Sequence, residues 1–405
     1  MALVFLDLDG TALDNGRPAR GIVETIAELK KNGVYRVLPV NYGPCKNVID
    51  LNRRSVVNLS SNNYLGLTFD PDCIRAACQA AEREGTGTTG SRLANGTFAG
   101  HIALERDLSA FFNCRHTIVF STGYLANLAI LSTVVGPGEV ILLDADCHAS
   151  IYDGCRMGGA DVIRFRHNDV ADLEKRLRRL SRRDTNVLIV VEGLYSMLGD
   201  RAPLAEIVEL KKRYGAWLAV DEAHSLGVLG EQGRGLAEEA GVAEEVDFLI
   251  GTFSKSLGAI GGFCASNHAG LELVRYASRP YIFTASLSPS TVASVRTALR
   301  ILGSRPELRR RLWDNARRLH ERLRALGCAV GPEPGPIIAV RCPTVEEAFT
   351  RWNGLLARGI YVNMVLPPAT PDGGALLRCS LSAAHTRAQI DRIGDAFADL
   401  PGNPA

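Results

Sequence analysis

The stretch Gly251-Thr252-Phe253-Ser254-Lys255-Ser256-Leu257-Gly258 sets one lysine among three hydroxyls, and Gly258-Ala259-Ile260-Gly261-Gly262 behind it carries almost no side chain. A lysine that forms a Schiff base needs desolvation, and a phosphate-bearing group needs hydroxyl and backbone donors beside it. A surface lysine in a Ser/Gly-rich loop needs neither, and the stretch taken alone fits that reading equally well. Upstream residues shift the balance. Asp221-Glu222-Ala223-His224 follows the apolar run Trp217–Val220, and a carboxylate just past a buried strand is costly unless it is paired. Such an acidic pair could hold Mg²⁺, as in a helicase DEAH box, or Asp221 could face a protonated ring nitrogen, with His224 donating to a ring hydroxyl. The first reading needs a GK[ST] loop upstream, and the glycine-rich segment Gly85–Arg92 lacks that ending. Phe120-Ser121-Thr122-Gly123-Tyr124 reads as strand, tight turn and helix start, and the N–H groups of a helix N-terminus bind phosphate. His148, in Asp144-Ala145-Asp146-Cys147-His148, follows another strand, where an imidazole can stack on a flat ring.

These residues need a frame. Between about 115 and 265, strand candidates at Thr117–Phe120, Val140–Leu143, Val162–Phe165, Val187–Val191, Trp217–Val220, Phe248–Ile250 and Gly262–Ala265 are separated in several places by helical patterns such as Leu204–Tyr214. That alternation predicts an α/β fold with a mostly parallel sheet covered on both faces. Ligands of such sheets sit at the carboxyl ends of the strands, where the polar signals fall here. Residues 1–44 read as an N-terminal extension with a short helix over Ile22–Lys31, residues 45–290 as a large domain, and residues 291–405 as a smaller α+β domain. A hairpin is expected over Val48–Leu59.

Composition sets the outer limits. The chain has 405 residues, 46% hydrophobic and 22% charged, enough for a large core and two domains. A net charge of +2 gives no field for nucleic acid or an acidic membrane surface. The ten cysteines form no CxxC pair, which fits reduced thiols in a cytoplasm and neither a disulfide framework nor a zinc site. No apolar run approaches the roughly 20 residues of a membrane span. Acidic residues stand where a signal peptide has basic ones.

The order phosphate turn, stacking histidine, ring-facing aspartate, Schiff-base lysine is similar to that of fold-type-I pyridoxal phosphate enzymes. The segments Asp146–Gly154, Glu192–Asp200, Val220–Ser225, Gly251–Ser256 and Arg279–Ser286 together resemble the α-oxoamine synthase family over about residues 35–400. The resemblance implies a pyridoxal 5'-phosphate enzyme with Lys255 as the Schiff-base lysine and Asp221 at the ring nitrogen. It implies His148 on the ring face, His224 and Ser196 around the ring hydroxyl, and Gly123, Tyr124, Thr252 and Ser254 holding the cofactor and its phosphate. It further implies a homodimer with shared sites, to which Thr284 of the partner lends a phosphate contact. Arg378 and Asn62 are implied as the substrate-carboxylate contacts. The implied reaction joins a small amino acid to an acyl thioester, carried on coenzyme A or a carrier protein, and gives an α-amino ketone, CO₂ and a free thiol.

Within the family, Asn95–Phe98, Phe165–Asn168, Tyr195–Asp200 and Tyr361–Met364 resemble the bacterial serine palmitoyltransferase branch, which implies serine as the amino acid. Two positions depart from that branch: Leu366 stands where it has arginine, and Asn62 where it has tyrosine. Ser61–Gly66 looks more like glycine C-acetyltransferase or 8-amino-7-oxononanoate synthase, so glycine or alanine stays open. Near the N-terminus, Asp7-Leu8-Asp9-Gly10-Thr11 resembles the first motif of haloacid-dehalogenase phosphatases, but too few residues precede the next module to complete such a site. Asp7→Asn is therefore expected to leave synthase turnover unchanged. An Mg²⁺-dependent phosphatase activity lost with that substitution would reverse this reading.

Overall fold

In the computed structural model of the chain, the described residues are 54–367, 369, 370 and 373–400, preceded by strand segments at 2–3, 13–14, 17–18, 41–42 and 48–51. The Asp7/Asp9 motif and the helix expected over 22–31 lie outside the described residues. The described chain divides into two compact units. One holds Leu67–Tyr195 and Arg201–Arg309; the other holds Met1–Gly66, Ser196–Asp200 and Arg310–Ala405.

All seven strand candidates of the larger unit pair in a single sheet. Across it the order is His116–Phe120, Gly262–Ser266, Phe248–Thr252, Trp217–Asp221, Val187–Glu192, Val140–Asp144 and Asp161–Phe165. Gly262–Ser266 runs antiparallel to both neighbours, and the remaining pairings are parallel. Central strands read as unbroken apolar runs because both faces are covered: every residue of Val140–Asp144, Phe248–Thr252 and Gly262–Ser266 is buried. The edge strand Asp161–Phe165 is mostly exposed and carries charge, as an unpaired edge should. The helices start and stop on local chemistry. Asp169 caps Val170–Leu180 by accepting from Asp172 N, and Gly215, at φ 65°, ends Leu204–Tyr214 in the left-handed region. The arginine-rich pattern after Thr291 resolves into Pro289–Ser304 and Pro306–Ala325, broken where Pro306 cannot continue the first helix.

The smaller unit contains a four-stranded sheet in the order Ala2–Leu3, Asn363–Val365, Ala375–Ser380, Ile337–Cys342. A second sheet contains the expected hairpin, with Val48–Leu51 antiparallel to Arg54–Asn58. Met197 and Leu198, from mid-chain, pack against buried Ala339, Val365, Ala369 and Leu376. Gly199 lies so close that a Cβ would come within 2.5 Å of the Ile337 carbonyl, at a φ of +75°.

His385 ties this unit together. Its Nδ1 accepts from Ser382 N at 3.1 Å and its Nε2 donates to the Asn58 carbonyl at 3.1 Å. Burial pushes the ring's pKa down to about 4 from 6.5. Above pH 6.5 the imidazole is neutral folded and unfolded, so it adds no pH dependence. Below 6.5 the unfolded chain takes a proton that the folded chain refuses until about pH 4, so stability falls through that window. The full loss is about 3 kcal/mol. Denaturant unfolding of wild type and His385→Asn is expected to show a gap that narrows from pH 7 to pH 4.5. A constant gap would refute the assignment.

Candidate active site

Lys255 sits in the connection between the antiparallel strands Phe248–Thr252 and Gly262–Ser266. Phe253 anchors that connection: it is fully buried and stacks on Phe263 at 5.6 Å and 11°. Its N–H donates to the Gly261 carbonyl at 2.9 Å, and Gly258 N closes a turn onto the Lys255 carbonyl at 3.0 Å. Gly258 has φ +65°, and a Cβ there would come within 2.4 Å of Thr68 N, so only glycine fits.

The loop borders a cavity of about 350 Å³ at the carboxyl ends of the parallel strands, lined by residues of the larger unit. Asp221 ends its strand in this cavity and is 6% exposed. Its Oδ2 accepts from Asn127 Nδ2 at 2.7 Å and its Oδ1 from Ala223 N at 2.8 Å. The neighbouring Glu222 takes another direction. Its carboxylate accepts from Leu236 N and Ala237 N at 2.9 and 2.8 Å and from the Ser225 hydroxyl. Burial lifts its pKa to about 7. The two acids of the DEAH string thus do separate work, and Glu222 braces the chain around Leu236.

His148 caps the helix Ala149–Gly158, its Nδ1 accepting from Ser150 N at 3.2 Å. Burial pushes the imidazole pKa down, and the Lys255 charge pushes it the same way against Asp221. Glu192, cross-strand partner of Asp221, accepts from His148 N. Burial, reinforced by the Asp221 charge and opposed by Lys255, holds the Glu192 carboxyl well above the usual carboxylate range.

The lining also includes the start of the helix Gly123–Leu131, whose cap Thr122 accepts from Leu125 N at 3.0 Å. A Cβ on Gly123 would come within 2.9 Å of Thr252 Oγ1, and one on Gly262 within 2.6 Å of Gly123 Cα. Thr252 Oγ1 and Ser254 Oγ are 2.8 Å apart. Backbone N–H groups and two hydroxyls therefore converge in a space that a side chain would fill. That is the donor set a phosphate takes, and the lining fits a flat cationic ring bearing an aldehyde and a phosphate.

In the smaller unit, Arg378 is 6% exposed in the strand Ala375–Ser380. Its Nε donates to the Ser196 carbonyl at 2.6 Å and Nη1 to Ser380 Oγ at 2.6 Å, while Nη1 and Nη2 share Asn62 Oδ1 at 3.2 Å each. Arg378 has no carboxylate partner among the described residues. Leu366 is 3% exposed and belongs to the buried apolar core.

Of the residues singled out in the sequence, Gly123, Tyr124, His148, Asp221, His224, Thr252, Ser254 and Lys255 line the one cavity. Asn62, Ser196 and Arg378 form the separate hydrogen-bonded group just described. Thr284 borders a small cleft with Arg92, Ser121 and Tyr281. Sequence reasoning gave no role to Asn127, Ser150 or Glu192, which also line the cavity. Asn127 carries a legible signal: it stands four residues after Gly123, on the same helix face.

Residues 54–397 match the profile of the family described as aminotransferase class I and II. The chain belongs to that family. This family member is 56% identical to a serine palmitoyltransferase of Caulobacter vibrioides, over 89% of this chain and 88% of that protein. It is 40% identical to an 8-amino-7-oxononanoate synthase of Alkaliphilus metalliredigens, over 95% and 98%. A solved structure of SPT with PLP internal aldimine superposes with a TM-score of 0.91 at 48% identity, covering 94% of this chain and 96% of that one. The fold is that of the fold-type-I enzymes, and the resemblance to α-oxoamine synthases is borne out.

Lys255→Ala is expected to stay folded, because Phe253 and the Gly258 turn hold the loop without it, and to lose the visible absorption band of bound cofactor. Gly123→Val is expected to keep Lys255 and lower cofactor affinity by at least tenfold, read by equilibrium titration. Unchanged affinity in the valine variant would show that the close approach at Gly123 has no part in binding.

Proposed function

We propose that this chain is a serine palmitoyltransferase, a pyridoxal 5'-phosphate enzyme that condenses serine with a long acyl thioester, releasing CO₂ and the thiol and leaving an α-amino ketone. The observation that carries the reading is Lys255 and Asp221 lining one cavity in a chain 56% identical to a serine palmitoyltransferase over 89% of its length. When bound, the cofactor supplies an aldehyde for amines and a protonated ring that takes up the electron pair left at Cα. Asp221, a carboxylate that Asn127 and Ala223 hold in place, would keep the ring nitrogen protonated. His148 covers the ring face, and His224 and Ser196 serve the ring hydroxyl. Gly123, Tyr124, Thr252 and Ser254 hold the phosphate end.

Lys255 carries the cofactor at rest. Its amine, when free, would serve as the base for the substrate Cα proton. Arg378, a buried guanidinium whose hydrogen-bond acceptors among the described residues are all neutral, binds the substrate carboxylate beside Asn62. The chain works as a homodimer in which each protomer lends Thr284 to the other's phosphate site. The acyl group arrives on coenzyme A or on a carrier protein. The cysteines among the described residues are all free thiols, which supports a cytoplasmic setting, and no helix among the described residues is long and apolar enough to cross a membrane.

Asn62 and the 40% identity to an 8-amino-7-oxononanoate synthase favour a second reading, with glycine or alanine in place of serine. Titrating amino acids into the cofactor-loaded protein separates the two. Serine is expected to change the visible spectrum at lower concentration than glycine or alanine, and palmitoyl-coenzyme A added afterwards to release free thiol. Saturation by alanine or glycine with no response to serine would move the assignment to the second reading.

A further inference from the structure

Asn127 lies one turn into the helix Gly123–Leu131, is 3% exposed and belongs to the cavity lining. Its amide nitrogen spends both hydrogens inside the site, one on Asp221 Oδ2 at 2.7 Å and the other on Ser150 Oγ at 2.9 Å. Ser150 Oγ lies 2.8 Å from His148 Nδ1. Nδ1 already accepts from Ser150 N, so the hydroxyl donates to it and the ring proton belongs on Nε2. One side chain therefore links the carboxylate at the ring nitrogen to the imidazole at the ring face. The amide has only one workable orientation, since an ionised carboxylate can only accept. Its Oδ1 is left buried without a partner among the described residues, a cost that a plain packing residue would not carry.

The fold holds Asn127 in this place by glycine packing. A Cβ on Gly154 would come within 2.8 Å of the Asn127 carbonyl, and one on Gly158 within 2.8 Å of the Leu131 carbonyl. Only glycines let Ala149–Gly158 approach Gly123–Leu131 closely enough for Ser150 to reach the amide.

We propose that Asn127 is a positioning residue of this site, which fixes the Asp221 carboxylate against the cofactor ring and sets the His148 tautomer through Ser150. The inference rests on the cofactor assignment made under the proposed function. It goes further in giving a role to a residue that does no chemistry itself.

A double-mutant cycle on cofactor binding tests it, with dissociation constants measured by titrating pyridoxal phosphate into cofactor-free protein. Asn127→Leu keeps the bulk and removes both donors. A lost hydrogen bond to a charged group should raise the dissociation constant by about tenfold or more. In an Asp221→Asn background the same change should cost less than about threefold, because the acceptor charge on which Asn127 acts is gone. Ser150→Ala, which leaves the Asp221 bond intact, should reduce the induced circular dichroism of the bound chromophore as His148 loses its fixed orientation. Asn127→Ser, smaller and still able to donate once, serves if the leucine variant does not fold, and carries the same expectation of background dependence. Wild-type affinity in either Asn127 variant, or an equal penalty with and without Asp221, would overturn the proposal. A wild-type chain that takes up no pyridoxal phosphate would instead overturn the cofactor assignment itself.

Discussion

A buried carboxylate at the end of a parallel strand is the constraint to which the larger unit answers. Asp221 is 6% exposed, and a charge so placed is tolerated only with donors aimed at it. The chain supplies one from the next turn, Ala223 N, and one from a helix a long way back in sequence, Asn127 Nδ2. The adjacent strand adds a second acid, Glu192, directly in register. Two carboxylates so close cannot both stay charged cheaply, and burial together with the Asp221 charge favours the proton on Glu192. Negative charge in the cavity is thereby concentrated on one group, with the Lys255 ammonium as its local counterweight. A cationic ring in this space would meet one well-held anion.

The second constraint is closeness of backbone. Gly123, Gly262, Gly154, Gly158 and Gly258 each occupy a position where a Cβ would strike backbone or a packed side chain within 3 Å. The first two bring a helix N-terminus against the Thr252 and Ser254 hydroxyls, the next two bring the His148 helix against the Asn127 helix, and the last lets the lysine loop turn. These contacts place donors where longer side chains would have filled the space. They also explain why the segment around Lys255 is so poor in side chains.

The sheet was legible in the sequence because its central strands are buried on both faces, so each reads as an apolar run, and the ligand-bearing ends follow from parallel pairing alone. Eight cavity residues were legible for the same reason: each follows such a run or starts the helix after it. For Asn127 the helix face was legible, four residues after Gly123, but its role was not, because its partner Asp221 is distant in sequence and nothing local says which acid an amide will meet. Glu222 could be read only as half of an acidic pair. Its real partners, Leu236 N and Ala237 N, lie in a turn that no periodicity marks. The attachment of Ser196–Asp200 to the smaller unit depends on Gly199 meeting Ile337, another long-range contact.

The smaller unit poses a question of competition. The Arg378 fork donates twice to Asn62 Oδ1, each time at 3.2 Å, which is long for a charged donor. The same oxygen also receives Ser380 Oγ at 3.2 Å and Tyr64 OH at 3.4 Å. Tyr64, buried, has its phenol pushed up to about 12, so it stays a neutral donor at working pH. Asn62 Oδ1 is thus an overcommitted neutral acceptor facing a buried cation. A carboxylate bonds a guanidinium with about 1.5–3 kcal/mol, against about 0.5–1.5 kcal/mol for a neutral acceptor. An incoming amino-acid carboxylate would therefore take the fork from Asn62, and Tyr64 and Ser380 would keep the released oxygen satisfied. On this account Asn62 acts as a placeholder that keeps Arg378 solvated in the resting protein.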